Sequence, residues 1–423
     1  MNKSKAYRAL DVNKVNWEHV VQGHEGQDAV LGFDIGKKSI LGVLRWGGTD
    51  FERPWRIGNP GDIRFLAERV SWLSQKRRLL VALEPTGTYG DVLRQALAAV
   101  NVSVQRVSPK MAMDFAEIFD GVPSQHDGKD AAVVAELAAQ GRSWPWAWRQ
   151  ASATDQEMEY WVDWVDGQRR QMMMWYGRLE ALVSRHWPEA TRIVSLHSFT
   201  LLSALERYGG PAGLAADPAA VRHVQNWGRH FLSARKAEEL VSSAATTVGV
   251  KQGPWDQQRL QGIAKEVLLS RRQMRDGTRR LGELAKTNDI IVRQAEIVGA
   301  ATACVLWVHV GDPRDYSCGA AYRKAMGLNL KERSSGQYQG QLKISKRGPA
   351  MVRRWLYLAA LRHVRHEPAR SWYVRQKEAR RGRSKPALVG VMRKLPLALY
   401  QVGGRGQKFV QAHLFKMTPG EWT

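Results

Sequence analysis

Asp34, Glu84, Asp127 and Asp130 are the side chains whose type and spacing best suit chemistry in this sequence. Two stand at the ends of apolar runs, and two stand at the head of an alanine-rich stretch. Carboxylates are what Mg²⁺ requires: the ion takes oxygen ligands and keeps several waters, and in pairs about 3.5–4 Å apart it clamps the attacking and leaving oxygens of a phosphoryl transfer. The expected chemistry is metal-assisted cleavage of phosphodiesters. Asp127 and Asp130 are three residues apart, so a helix puts both on one face, where like charges cost stability unless a cation joins them. Any one of these acids alone reads equally well as a helix cap or a turn residue. Four of them in this order on these elements argue for a shared site.

The elements that must position them follow from periodicity. Val30, Leu31, Gly32 and Phe33 lead into Asp34, Ile35 and Gly36, and a second apolar run follows at residues 40–44, which predicts a β-hairpin with Asp34 emerging from a buried strand. Residues 79–83 form another apolar run, ended by Glu84 and broken by Pro85, Thr86 and Gly87; residues 89–100 then take helical spacing. Both carboxylates thus lie at the carboxyl edge of strands, the usual ligand edge of an α/β sheet. A third strand at 51–57, a helix at 63–78, a last strand at 102–107, a helix at 109–119 and the helix at 131–140 complete the unit. This predicts an α/β domain of ribonuclease-H type over residues 28–150. Residues 1–27 are polar and mixed in charge, and read as an N-terminal extension without a signal-peptide pattern.

The length suggests about three domains. Residues 151–286 change to long helical stretches, 157–187 and 260–285 among them, separated by Gly209, Gly210, Pro211 and by Gly253, Pro254. Helices without a clear core of their own suggest a coiled-coil arm or dimerisation element. Tryptophans 144, 146, 148, 161, 164 and 175 have the aromatic faces that stack on unpaired bases, but such spacing more often fills a core. Residues 287–423 form a third, mainly helical region. It opens on Glu296 to Ala303, where small residues beside Gly299 would let backbone approach phosphate, as in helix-hairpin-helix elements.

Charge points to a polyanion. The chain carries 64 Lys and Arg against 40 Asp and Glu, a net +24, and nucleic acid is the expected partner. Residues 343–408 hold 18 of the Lys and Arg against only Glu367 and Glu378, which marks a binding face containing Lys343, Lys346, Arg347, Arg353 and Arg354. No apolar run approaches the roughly 20 residues that span a bilayer, so a membrane partner is not expected. Cys304 and Cys318 are too few for a zinc site or a disulfide framework, fit a reducing cytoplasm, and read as small packing residues.

The acid set, the segment Leu83 to Tyr89 (Leu-Glu-Pro-Thr-Gly-Thr-Tyr), and the C-terminal Ser334, Ser335, Gly336 with Ile344, Ser345, Lys346, Arg347, Gly348 resemble the insertion-sequence-110 family of transposases. The resemblance covers both ends of the chain. It implies a RuvC-like domain with a DEDD acid set, a helical coiled-coil linker, and a C-terminal transposase domain supplying a nucleophilic serine, here Ser335 with Ser334 as the alternative. It also implies Mg²⁺, donor and target DNA, a noncoding bridge RNA that pairs with both, a homo-oligomer (dimer or tetramer) with active sites composed between subunits, and a bacterial cytoplasmic protein that associates with the nucleoid when acting. The sequence departs from the pattern in its extra length at residues 1–27, in a helical middle that matches only loosely, and in His126, where a threonine commonly precedes the third acid.

Three other classes are open. Residues 34–39, Asp-Ile-Gly-Lys-Lys-Ser, are similar to the phosphate-binding hairpin of actin-like sugar kinases and ATPases, but no second Asp-x-Gly hairpin or adenosine loop follows in register. A Holliday-junction nuclease would use the same acids without the serine. A non-catalytic nucleic-acid scaffold would use neither.

Overall fold

A computed structural model describes residues 8–48, 50–85, 87–121, 126–148, 150–332, 334–335, 338–340 and 342–415, with 334, 335, 338 and 339 described by their backbone alone. The chain divides into two compact units, Met1–Gln150 and Ala151–Thr423.

The first unit is built on a seven-stranded mixed sheet. Its strands are β1 (Leu10–Asp11), β2 (Ala29–Ile35), β3 (Ser39–Trp46), β4 (Trp55–Gly58), β5 (Leu79–Leu83), β6 (Val104–Val107) and β7 (Ser143–Pro145), in the order β1-β4-β3-β2-β5-β6-β7. The predicted hairpin is β2–β3, antiparallel with Asp34 opposite Leu41, while β2, β5 and β6 run parallel. The expected strand at 51–57 is shorter, with Phe51 in an isolated bridge to Arg45 and the regular strand beginning at Trp55, after Pro54, which has no N–H to donate to a ladder. The edge strands β1 and β7 are two and three residues long, too short for a period of two to register in sequence.

Alternation divides β2 between the two faces of the sheet. Leu31, Phe33 and Ile35 join one core with Leu44, Trp46, Val81 and Leu83, covered by helices α2 (Ile63–Lys76) and α3 (Asp91–Ala99). Val12, Trp17 and Val20 are buried in that same core, Trp17 and Val20 on the short helix α1 (Trp17–Val21), so residues expected to be an extension complete the domain. Val30 and Ala82 face the other way, into a core made with α4 (Pro109–Asp120) and α5 (Asp127–Ala139).

The second unit is almost wholly helical. Helices Ala153–His186 and Pro254–Leu284 lie along each other; Gly277 admits Val165 and Trp161 so closely that an added Cβ would stand 2.7 Å from Val165 Cγ2. The helical middle was expected to lack a core, and the structure corrects this. Leu179, Val183, Trp187, Leu201, Leu205, Val224, Leu240, Leu260 and Val267 form a buried cluster contributed by both long helices and the shorter helices between them. A separate core gathers Val305, Leu306, Leu356, Val391 and Leu395 from the C-terminal helices. Among the described residues no helix is long and apolar enough to cross a membrane.

Candidate functional site

Strand register brings the first two carboxylates together. Phe33 pairs with Leu83 across the parallel β2–β5 ladder, so Asp34 and Glu84 follow at the carboxyl ends of neighbouring strands, which lie about 4.8 Å apart. Asp34 shares its face with Val30 and Gly32, and Glu84 shares its face with Ala82; this is the face α5 covers. The turn beyond Asp34 is fixed by Gly36 N–H donating to the Ser39 carbonyl at 3.0 Å and by Asn59 Nδ2 donating to the Gly36 carbonyl at 3.0 Å.

Helix α5 delivers the other two. Its first turn carries Asp127 and Asp130, the end at which the helix dipole favours negative charge. The helix can approach this closely because of residue size: Gly32 has no side chain, and Ala131, Ala132, Ala135 and Ala138 line the helix. Two ion pairs hold it in place. Arg45 Nε on β3 donates to Glu136 Oε2 at 2.6 Å, and the buried Lys129 donates through Nζ to Asp120 Oδ1 on α4 at 2.7 Å.

Asp34, Glu84 and Asp130 sense their acidic neighbours. Burial, then the charges of Asp130, Asp127 and Glu84, push the Asp34 carboxyl up to about 6. Burial and Asp130 raise Glu84; burial and Asp127 raise Asp130, against the opposing pull of Lys129 and His126. An arrangement that disfavours its own ionised state is one that a cation would relieve. Among the described residues no three His, Cys, Asp or Glu side chains converge as a finished metal cage. Mg²⁺ does not need one, since it keeps several waters and is commonly held by one or two carboxylates with substrate phosphate. The donor chemistry therefore fits that ion.

In the second unit, the Gly299 feature is a sharp junction between two helices, Asp289–Val298 and Ala300–Val310, with Gly299 at φ +80°. Arg362 Nη2 donates to the Val298 carbonyl beside it, and His363 Nε2 lies 2.8 Å from the Ile297 carbonyl. The two serines lie in a small hairpin in which Ser334–Ser335 pairs antiparallel with Tyr338–Gln339. Their side chains, and Gly336, lie outside the described residues.

The basic motif folds back on the chain. Strand Lys343–Ile344 pairs with Leu330–Lys331, Ser345 N–H donates to the Asn329 carbonyl at 2.7 Å, and Lys346 N–H donates to the Gly327 carbonyl at 3.0 Å. Gly348 permits the crossing: a Cβ there would stand 2.4 Å from the Ala325 carbonyl oxygen. Lys343, Lys346 and Arg347 are left exposed. Arg353 and Arg354 are placed differently. Arg353 Nη1 donates to the Gly348 carbonyl at 2.6 Å, and Arg354 Nη1 pairs with Asp166 Oδ1 at 2.5 Å, so both are engaged in holding the unit together.

Among the other aromatic and sulfur residues, Trp146 packs under Arg94 at 3.6 Å and Trp164 stacks on Tyr160, while Trp144 is exposed. Cys304 is buried as expected, but Cys318 is exposed at the start of helix Gly319–Ala325. What sequence reading missed was the seat of α5: Gly32 inside an otherwise bulky apolar run was the available signal.

One comparison with known proteins falls within the second unit. Residues 291–375 match the model of the Transposase IS116/IS110/IS902 family. That span contains the Gly299 junction, the serine hairpin and the basic fold-back. Over 288 residues, 64% of this chain and 68% of the other, the sequence is 24% identical to the "Insertion element IS110 uncharacterized 43.6 kDa protein" of Streptomyces coelicolor (strain ATCC BAA-471 / A3(2) / M145). Both matches liken parts of this chain to proteins of IS110-type insertion elements.

Proposed function

We propose that the protein is a DNA transposase or recombinase that moves a mobile element by RNA-guided, site-specific excision and insertion. The observation that supports the catalytic part is that Asp34 and Glu84 stand at one sheet edge and Asp127 and Asp130 at one helix start, up to 96 positions apart in sequence, with the ionised forms of Asp34, Glu84 and Asp130 disfavoured. On this reading the first unit is RuvC-like, and the four carboxylates hold Mg²⁺. The ion, when bound, supplies charge neutralisation at the scissile phosphate and at the leaving oxygen.

The chain's own residues do the rest. Ser335 is the nucleophile: its hydroxyl oxygen bonds to phosphorus as the bridging bond to the deoxyribose oxygen breaks, its proton passes to a nearby base or solvent, and the deoxyribose oxygen leaves with the bonding pair and takes up a proton as the free hydroxyl end of the strand. The resulting phosphoserine keeps the bond energy of the phosphodiester, so strands can be exchanged without ATP. Lys343, Lys346 and Arg347 hold phosphates and carry no sequence information, which a bridge RNA supplies by base pairing. A multimer, dimer or tetramer, would bring two DNA partners together.

Trapping tests the serine. The protein incubated with Mg²⁺ and DNA of the element's ends should form a covalent adduct, mapped by mass spectrometry to Ser335. Adduct that persists in Ser335→Ala moves the role to Ser334, and adduct that persists in the double variant refutes the mechanism. Metal-dependent cleavage without any adduct would instead favour a RuvC-like structure-specific nuclease.

A further inference from the structure

The helical middle holds a cleft of about 820 Å³ that the proposed chemistry does not use. One wall is a single stripe of helix Pro254–Leu284, where Lys265, Leu268, Leu269 and Arg272 recur at i, i+3, i+4 and i+7 with Arg275 one turn further on. The lining also includes a strained turn. Helix Ala220–Gly228 stops at Gly228, Arg229 takes φ +48°, and the short 3-10 turn Arg229–Phe231 thrusts Phe231 outward, 86% exposed. Phe199, 55% exposed, and Trp227 add further aromatic surface to the lining.

The charges are unspent. Among the described residues the side chains of Arg229, Lys265, Arg272 and Arg275 make no ion pair, whereas Asp276, one of the two acids lining the cleft, is already paired with Arg279 at 3.5 Å. Exposed aromatic faces beside unpaired guanidinium groups match one ligand chemistry well: a nucleic-acid strand with unpaired bases, whose bases stack while its phosphates meet the cations. A duplex hides its base faces within its own stack, and the volume, within the ~300–1,000 Å³ of pockets that bury a small ligand, suits about two nucleotides.

We propose that this cleft binds a short unpaired segment of nucleic acid, stacking a base on Phe231 and holding phosphates with Arg272 and Arg275. The inference rests on the reading that the chain handles nucleic acid, but not on the acid set or the serine. The test is photo-crosslinking of the full-length protein with eight-nucleotide strands carrying 5-iodouracil, as RNA and as DNA, and with the same strands annealed to complements. Crosslinks should map to residues 227–231 for single strands and vanish for duplexes; the stronger of the two single-strand arms identifies RNA or DNA as the source.

Phe231→Ala should abolish that crosslink and weaken binding of the single strand roughly 5- to 100-fold at this site, with Phe231→Tyr restoring it. Arg272→Gln with Arg275→Gln should flatten the salt dependence and leave the crosslink position unchanged. Phe231 is exposed, so these variants keep the fold, which circular dichroism checks. Crosslinks that map only to residues 343–408, equal crosslinking by duplex, or displacement of the single strand by an acidic peptide such as hexaglutamate with no effect of Phe231→Ala would each overturn the proposal. Loss of DNA cleavage in an acid-set variant with the cleft crosslink intact would separate this site from the catalytic reading.

Discussion

Gly32 on β2 lies directly against Ala131 of α5: a Cβ at position 32 would stand 2.4 Å from the Ala131 carbonyl oxygen and 2.4 Å from the Ala135 amide nitrogen. A backbone contact this close cannot be relieved by turning a side chain. The whole helix must move, and Asp127 and Asp130 ride on its first turn. Gly32→Ala should therefore lower stability by about 1–3 kcal/mol, the usual range for overpacking a core, and should abolish strand cleavage while leaving DNA affinity nearly unchanged. Thermal unfolding, a cleavage assay and a binding titration check the three parts, and full cleavage by a stably folded variant would remove Gly32 from the positioning of the acids.

The acid set makes a pH prediction with a definite sign. Asp34 has its folded pKa at about 6, above its ordinary value of 3.8, so the folded state binds more protons than the unfolded state between those limits. Stability is then favoured at low pH and falls as pH rises through the window. In chelator-treated protein, Asp34→Asn should be more stable than the wild type above pH 6 by about 1 kcal/mol, after allowance for partial solvent screening, and the gap should close towards pH 4. Thermal melts at pH 4, 5, 6 and 7 measure it; a gap that widens on acidification would contradict the burial and repulsion described here.

Adding Mg²⁺ at pH 7 should raise the melting temperature of the wild type and leave Asp34→Asn or Glu84→Ala nearly unmoved, because a ligand stabilises only the state that binds it. Equal shifts in all three proteins would point to a cation site elsewhere.

Lys129 is buried and its charge is answered by Asp120 at 2.7 Å. Removing one partner of a buried pair is strongly destabilising, so Asp120→Ala should cost about 3 kcal/mol and exceed the cost of Lys129→Met. Chemical denaturation of the two variants decides the order.

Exposed and engaged cations should separate in salt titrations. Changing Lys343, Lys346 and Arg347 together to Gln should reduce the slope of log affinity against log salt by roughly 2–3, at about 0.9 for each phosphate no longer neutralised. Arg354→Met should do little to that slope and instead lower stability by about 1–2 kcal/mol through the loss of its Asp166 partner. A slope change in Arg354→Met equal to that of the exposed triple variant would show that the ion pair opens to DNA.

The sequence by itself determined the central strands and main helices of the first unit, and so the elements on which its acids stand. Apolar runs ending in Asp34 and Glu84 could only be buried strands with polar ends, and Asp127 with Asp130 could only share a helix face, because these follow from local periods of two and 3.6. The edge strands β1 and β7 were beyond its reach, being two and three residues long and held by pairing with distant partners. Tertiary structure alone decided the rest. Whether Arg353 and Arg354 face solvent depends on Gly348 and Asp166, up to 188 positions away, and charge counting cannot see a partner so remote. The helical middle read as coreless because its apolar residues are shared among short helices, each too short to show a stripe, and only their packing against the two long helices closes the core. That same packing brings Phe231 and Arg272 to one cleft, since a strained turn and a helix stripe become one cleft only when the chain between them has folded.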